Sequence, residues 1–234
     1  MTKTNTMIQK TALLAIFLLS AVSLQAQVAM TLLDKTARSL KEGRTDYAVS
    51  LFRQAAQDDV EKAEMFYWTR VEKTAPYTFS FASVLAEEFK AIRNYDKAFL
   101  FYKECMQLRP DEVSLMANCA RMQFMRGNES DARQLYEHVI QLDADNLEAN
   151  IFLGNYFFLQ AEKEKTNLET TYKKITQPTR MQYARYRDGL SEIFSNSYIK
   201  ARTYLQRVMT MFPSSEAGTT LERINVVEKE VNHK

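Results

Sequence analysis

The stretch that decides the fold is Asn94–Pro110, NYDKAFLFYKECMQLRP, taken together with Asn128–Ala144, NESDARQLYEHVIQLDA. The second segment follows the first at a constant offset of 34 residues. The matched pairs are Ala98 with Ala132, Tyr102 with Tyr136, Cys105 with Val139 and Leu108 with Leu142. In each copy the alanine precedes the tyrosine by four residues. Because four residues make about one helical turn, the two side chains share one face of a helix.

The segments upstream of each copy are also helical in pattern. Phe79–Ile92 and Val113–Met125 are both amphipathic and of helix length. The whole chain has only five glycines and four prolines, fewer than a fold with many tight turns requires. No long alternation of apolar and polar residues occurs, so the sequence predicts helices joined by short loops. A fixed period of this length indicates stacked helical hairpins.

This pattern resembles the tetratricopeptide repeat (TPR) family, whose unit is a helix-turn-helix of about 34 residues. The family places small residues at positions 8, 20 and 27, a large residue at 24, and often proline at 32. Four registers match, beginning at Ala29, Phe79, Val113 and Leu147. The residues that carry the match are Ala48, Phe52 and Ala55; Ala86, Ala98, Tyr102, Cys105 and Pro110; Ala120, Ala132, Tyr136 and Val139; and Leu153 with Gly154. Gly43 and Gly127 both fall at position 15, in the turn.

Two segments depart from the repeat. A further helix at Val60–Lys73 stands between the first two units and does not fit the 34-residue phase. In the last unit the second-helix pattern reappears about 35 residues late, which defines an insertion at 162–197 with Pro178 near its middle. An insertion divided by a breaker predicts longer helices, 147–176 and 179–211, which form a hairpin reaching roughly 25 Å beyond the repeats. Gly189 is the expected point of a kink.

The predicted fold is therefore all-α, a TPR-like right-handed solenoid of antiparallel helix pairs with a projecting long helical hairpin. An apolar stripe after Pro213 predicts a C-terminal capping helix, which a solenoid needs to cover its last face. The predicted organisation is repeats at approximately 29–60, 79–112, 113–146 and 147–213, the last with the insertion 162–197, and a capping helix at 214–232.

The N-terminus is interpreted as a signal peptide over residues 1–26. Lys3 and Lys10 precede an uncharged apolar run, Thr11–Leu24, and a small residue, Ala26, offers a cleavage point. The run is short for a membrane span, although an uncleaved anchor is the alternative. Without the leader the chain carries 29 basic and 29 acidic residues, a balance that gives no reason to expect nucleic acid. The expected location is the periplasm or the extracellular space.

The sequence offers little catalytic chemistry. Neither His138 nor His233 stands at metal-ligand spacing from a cysteine or an acid, and no glycine-rich phosphate loop occurs. We therefore expect no enzyme activity, no cofactor and no metal. Cys105 and Cys119 lie on helices that should pack together, so a disulfide is one interpretation, and two buried thiols is the favoured one.

Two candidate binding surfaces emerge. The TPR resemblance implies a concave groove for a peptide or protein, here lined by Ser114, Arg121, Phe124, Glu148, Asn155 and Phe158. Arg121 and Asn155 are expected to hold a carboxylate or a backbone, while Phe124 and Phe158 supply apolar contact or belong to the core between helices. A basic aromatic arm at 162–187 is the second surface, with Lys173, Lys174, Arg180, Tyr183, Arg185, Tyr186 and Arg187.

These surfaces lead to two functional hypotheses. The first is a protein–protein interaction scaffold of the bacterial cell envelope that binds a peptide or protein partner in the groove. The alternative is a peripheral envelope-assembly factor whose arm contacts lipid, cell-wall polymer or an acidic protein. For the arm, a solvated helix surface with tyrosines that hold the hairpin together remains the plainer interpretation. The partner and the oligomeric state do not follow from the sequence.

Overall fold

The computed structural model describes residues 28–233, and the predicted leader lies outside them. The described residues are helical throughout and contain no β-strand, which confirms the all-α prediction. The chain divides into two compact units, the first ending at Leu115 and the second beginning at Met116. No helix within 28–233 is both long enough and apolar enough to cross a bilayer.

The first unit consists of five helices and the start of a sixth. They are α1 (28–41), α2 (Thr45–Asp58), α3 (Val60–Arg70), α4 (Thr78–Ala91), α5 (Tyr95–Leu108) and the first turn of α6 (Val113–Met125). The additional helix predicted from the sequence is α3, which begins at an N-cap where Asp59 accepts a hydrogen bond from the Lys62 amide. A capped start of this kind satisfies one of the orphan amides of the first turn.

Aromatic side chains fill the core of this unit. The ring centroids of Phe52 and Phe81 lie 4.5 Å apart, and Phe89 stacks on Phe101 at 5.7 Å. Tyr67 of α3 meets Phe101 edge to face at 5.5 Å. All five rings are buried. The phase-breaking helix α3 is therefore an integral layer of the unit, because its tyrosine packs into the same aromatic cluster.

The turns inside the hairpins share one backbone conformation. Gly43 and Gly127, both at position 15, have φ of 73° and 82°. Arg93 occupies the same position in the intervening repeat and also has a positive φ, 62°. A residue with a Cβ pays for this left-handed conformation, which glycine adopts freely. The turn geometry is thus set by the repeat, and only two of the three sequences provide the residue that suits it.

The second unit continues with α7 (Glu129–Leu142), α8 (Leu147–Lys173), α9 (Arg180–Ile193), α10 (Ile199–Met211) and α11 (Ser215–Asn232). Between α9 and α10 a π-helical turn, Phe194–Tyr198, keeps the backbone helical. Helix α8 therefore pairs with α9 and α10 as the long hairpin that the insertion predicts. The final helix starts at Ser214, whose hydroxyl accepts a hydrogen bond from the Ala217 amide at 3.2 Å.

The small and large positions of the repeat are buried. Ala48, Ala86, Ala98, Ala120, Ala132 and Ala201 are fully buried, and Phe52, Tyr102, Tyr136 and Leu205 are at most 2% exposed. Gly154 marks the closest approach, since a Cβ built there would lie 2.7 Å from Cγ and from Cδ2 of Leu205. These residues pack α8 against α10, as small residues allow two helices to do.

The irregularity of the long hairpin is not where the sequence predicted it. Helix α9 continues through Gly189, and the π turn begins five residues later at Phe194. A Cβ at Gly189 would lie 3.2 Å from the Leu168 methyl groups, so this glycine serves close packing of α8 and α9. The expected kink at Gly189 is therefore wrong, because the missing side chain is used for packing between the two helices.

Candidate functional site

An apolar groove lies in the second unit on the faces of α6, α7 and α8. Its volume is about 890 Å³. The residues that line it are Arg121, Phe124, Met125, Glu129, Tyr136, Leu147, Glu148, Ile151, Phe152, Asn155, Tyr156, Leu159, Gln160 and Lys163. Nine of them come from α8, because a stripe at intervals of about four residues faces the groove along the exposed side of this helix.

Stacked aromatic rings form the floor of the groove. Phe152 lies 4.5 Å from Tyr136, 5.2 Å from Phe124 and 6.1 Å from Tyr156, measured between ring centroids. Phe124 meets Phe152 edge to face, a favoured geometry for aromatic pairs. Each ring restrains its neighbour, so the floor is formed before any ligand arrives.

The rim carries apolar side chains that water still reaches. Leu159 is 66% exposed, and Phe124, Met125, Leu147 and Ile151 are between 39% and 46% exposed. Single exposed apolar residues are common on protein surfaces, whereas a contiguous group around a concave site marks a binding surface. Five such side chains on one groove would gain free energy when a partner covers them.

A polar cluster at one side of the groove ties three helices together. The guanidinium of Arg121 donates to both carboxylate oxygens of Glu148, with Nε to Oε1 at 2.7 Å. The hydroxyl of Tyr136 donates to the same Oε1 at 2.6 Å. Burial raises the pKa of Tyr136, and the hydrogen bond to Glu148 raises it further. Arg121 is therefore engaged by this chain's own carboxylate, contrary to its expected role as a clamp for a ligand carboxylate.

The other groove residues predicted from the sequence fall in three places. Phe124 and Asn155 line the groove, and both are exposed. Phe158 is buried, with Tyr198 edge to face at 6.1 Å and the Arg223 guanidinium above its ring, so it belongs to the core between helices. Ser114 belongs to the first unit, where its hydroxyl donates to Glu112 at 3.0 Å.

Sequence reasoning assigned no role to Leu147, Leu159 and Lys163, which also line the groove. Together with Ile151 and Asn155 they recur at every fourth position of α8. This spacing places all five on one face of the helix. The signal was present in the sequence, but the expected positions followed the family pattern and ended at Phe158, where α8 turns its next residues toward α10.

The basic arm is partly occupied by internal contacts. Tyr172 stacks on Tyr186 across the hairpin at 4.6 Å. Arg187 donates to the backbone carbonyls of Glu230, Val231 and His233 at 2.5–2.7 Å, so it caps the end of α11. Lys173 pairs with Glu169 at 3.4 Å. Lys174, Arg180, Tyr183 and Arg185 are exposed, and no ion pair involves these cations within the described chain.

Other chemistry is sparse in the part of the chain that the structure describes. Cys105 and Cys119 are each a buried thiol, as the favoured interpretation holds. No cluster of histidine, cysteine and acidic side chains within residues 28–233 could hold a metal ion. The apolar groove and the basic hairpin tip are thus the features that call for a function.

Comparison with known proteins adds one informative relative. The chain is 51% identical to a protein from Bacteroides ovatus ATCC 8483 that is described as a candidate protein-binding protein, over 87% of this chain and 99% of that one, with a TM-score of 0.82. MamA protein is 12% identical (88% and 94% covered, TM-score 0.37), and PilF of Pseudomonas aeruginosa is 15% identical (85% and 98% covered, TM-score 0.32). At these TM-scores neither carries an argument about this chain. No family model matches it.

Proposed function

We propose that this chain, which belongs to the same family as the Bacteroides ovatus protein, is a non-enzymatic scaffold that binds a protein partner through the α6–α8 groove. The observation that carries this proposal is the group of five exposed apolar side chains around a concave site of about 890 Å³. A relative of high identity that is described as a candidate protein-binding protein supports the same function.

The dimensions of the groove favour a short helical or extended segment of the partner. Its stripe on α8 runs from Leu147 to Lys163, which spans about 24 Å at the rise of an α-helix. A partner helix of about four turns would match this length and offer apolar residues at i, i+4 and i+7. Since Glu148 already neutralises Arg121, recognition in the centre of the groove rests on apolar contact, with Asn155 left for a polar group.

A peptide selection tests the proposed function directly. Random peptides of about 16 residues would be selected by phage display against the full chain, and the best would be measured by fluorescence anisotropy. The double variant Ile151→Ser/Leu159→Ser should bind at least about 30-fold more weakly, because each truncation removes roughly 1–1.5 kcal/mol of apolar contact.

The matched control replaces two equally exposed apolar residues outside the groove. Met65→Ser/Val226→Ser, at 61% and 64% exposure, should leave the affinity within about twofold. Selected peptides that bind the groove variant as well as the wild-type protein would contradict the proposal. The selected sequences themselves should show apolar residues at helical spacing.

We also propose that the scaffold works in the bacterial cell envelope, in the periplasm or outside the cell, after removal of a leader near Ala26. The support is the charge pattern of the N-terminal sequence, with Lys3 and Lys10 ahead of an uncharged apolar run. Intact-mass measurement of the protein purified from its source should find a chain that starts close to Gln27. A chain that retains Met1–Ala26 would refute the processing.

A further inference from the structure

The tip of the long hairpin carries a concentrated positive charge. Between Glu169 and Asp188 the sequence has five basic residues and no acidic one. Two of the five are occupied, since Arg187 caps α11 and Lys173 pairs with Glu169. The remaining three, Lys174, Arg180 and Arg185, are exposed and have no ion-pair partner within the described residues.

Exposed apolar side chains lie among these cations. Met181 is 68% exposed, which is the largest value given for a large apolar residue of the described chain, and Tyr183 is 50% exposed. Lysine and arginine next to exposed methionine and tyrosine form the amphipathic combination that suits the boundary between water and lipid headgroups. A purely solvated surface would not need to expose Met181.

The tip is also the free end of a braced structure. Helix α11 supports the hairpin up to Lys165 and Arg187, where Lys165 pairs with Glu230 at 2.8 Å and Arg187 binds the last carbonyls of α11. Beyond this brace, Lys165 to Lys173 extends about 12 Å further without contact from α11. The brace fixes the direction of the hairpin, and the exposed cations all lie in the unsupported part.

We propose that this tip, residues 173–185, docks on an anionic lipid surface. A folded acidic protein would be the other partner for such a charge, but a stable protein interface buries about 800 Å² on each side with matching shape. A narrow hairpin end offers little of that area, whereas a lipid surface requires no complementary shape. The cations attract the headgroups, and Met181 and Tyr183 enter the interfacial layer.

Vesicle co-sedimentation tests the proposal with the full chain. Vesicles of phosphatidylcholine alone would be compared with vesicles that contain about 30 mol% phosphatidylglycerol. Wild-type protein should bind the anionic vesicles at least tenfold more strongly, and added salt should weaken this binding. Lys174→Gln/Arg180→Gln/Arg185→Gln should lose most of the difference, since each cation near the surface contributes about fivefold.

Two controls separate the tip from general charge and from folding. Lys35→Gln/Lys41→Gln/Lys103→Gln removes three exposed cations elsewhere and should keep the binding. Arg180→Lys/Arg185→Lys preserves the charge and should keep it as well. The apolar N-terminal run is common to every variant, so it cannot produce the difference. Equal binding of the tip variant and the wild-type protein, or no preference for anionic vesicles, would overturn the proposal.

Discussion

Two tyrosines that are equivalent in the repeat are held by different partners. Tyr102 donates to Glu87 of α4, in the hairpin to which Tyr102 itself belongs. Tyr136, exactly one period later, donates to Glu148 of α8, in the following hairpin. The position of Glu87 is taken by Arg121 in the later repeat, and Arg121 binds Glu148 too.

The difference separates what the repeat conserves from what it leaves free. Both tyrosines are buried and both keep a carboxylate acceptor, because a buried hydroxyl without a partner is costly. Which helix supplies the carboxylate varies. In the second unit this change creates the Arg121–Glu148–Tyr136 cluster, which joins three helices at the side of the groove. The apolar packing is thus periodic, while the polar contacts that shape the groove are specific to one repeat.

The largest expected effect concerns the close-contact position of the last repeat. Ala86 and Ala120 occupy this position elsewhere, whereas a Cβ at Gly154 would overlap Leu205 at 2.7 Å. Gly154→Val should therefore lower the free energy of unfolding by about 3 kcal/mol through overpacking. Gly218→Val is the matched control, because the nearest atom, Met209 Cε, is 3.9 Å away. Chemical denaturation should show a change within about 0.5 kcal/mol for the control; equal losses would refute the close contact.

The next effect distinguishes the two carboxylates. Glu148→Ala should cost about 2 kcal/mol, because it leaves a buried tyrosine hydroxyl without its acceptor and removes a bidentate arginine pair. Glu87→Ala should cost about 1 kcal/mol, since the second partner of Glu87 is Lys90 in an exposed i, i+3 pair. Urea unfolding of both variants measures the difference. A larger loss for Glu87→Ala would reverse the comparison.

Alkaline pH should reveal the buried tyrosine of the cluster. Burial and Glu148 raise the pKa of Tyr136 above that of an unfolded chain, about 10. The unfolded state then releases its proton first, so stability is complete below about pH 10 and falls as the pH rises, by about 1.4 kcal/mol per unit for this group. Tyr136→Phe should unfold with a shallower dependence on pH than the wild-type protein. The exposed Tyr47→Phe should not change the slope.

Most of the helical framework could be predicted from the sequence. The 34-residue spacing of Ala98 and Ala132 located the buried faces, and Pro178 located the turn of the long hairpin. The π turn at Phe194–Tyr198 could not be predicted, because the extra residue is accommodated without proline or glycine. Sequence reasoning instead chose Gly189, since the same residue type serves both kinks and close packing.

The site was less predictable than the fold. Phe124 and Asn155 lie on the groove as expected, while Phe158 faces the core. The pairing of Arg121 with Glu148 depends on which rotamers meet between helices, and a residue pattern does not encode that. The use of Arg187 as a cap for α11 requires the long hairpin and the last helix to meet at a particular height. Such contacts between elements distant in sequence come only from the packed structure.

An exchange of the polar residues would sharpen the comparison further. Arg121→Glu with Glu148→Ser gives the later repeat the acid of the earlier one at position 9, and the serine that stands at position 2 there. Tyr136 should then donate to the new carboxylate, so the double variant should unfold within about 1 kcal/mol of the wild-type protein. If it loses as much as Glu148→Ala, the acceptor cannot be moved between helices. A double-mutant cycle with Tyr136→Phe would measure the new pair.

The smallest effect comes from the one hairpin turn that departs from glycine. Arg93 holds a φ of 62° where Gly43 and Gly127 stand in the equivalent turns. Arg93→Gly removes the strain of a left-handed residue with a Cβ, although the greater freedom of glycine in the unfolded chain offsets part of the gain. The expected result is a stabilisation of about 0.5 kcal/mol in thermal unfolding. Gly127→Arg should show the opposite sign, and a destabilising Arg93→Gly would mean that the arginine side chain contributes more than its backbone costs.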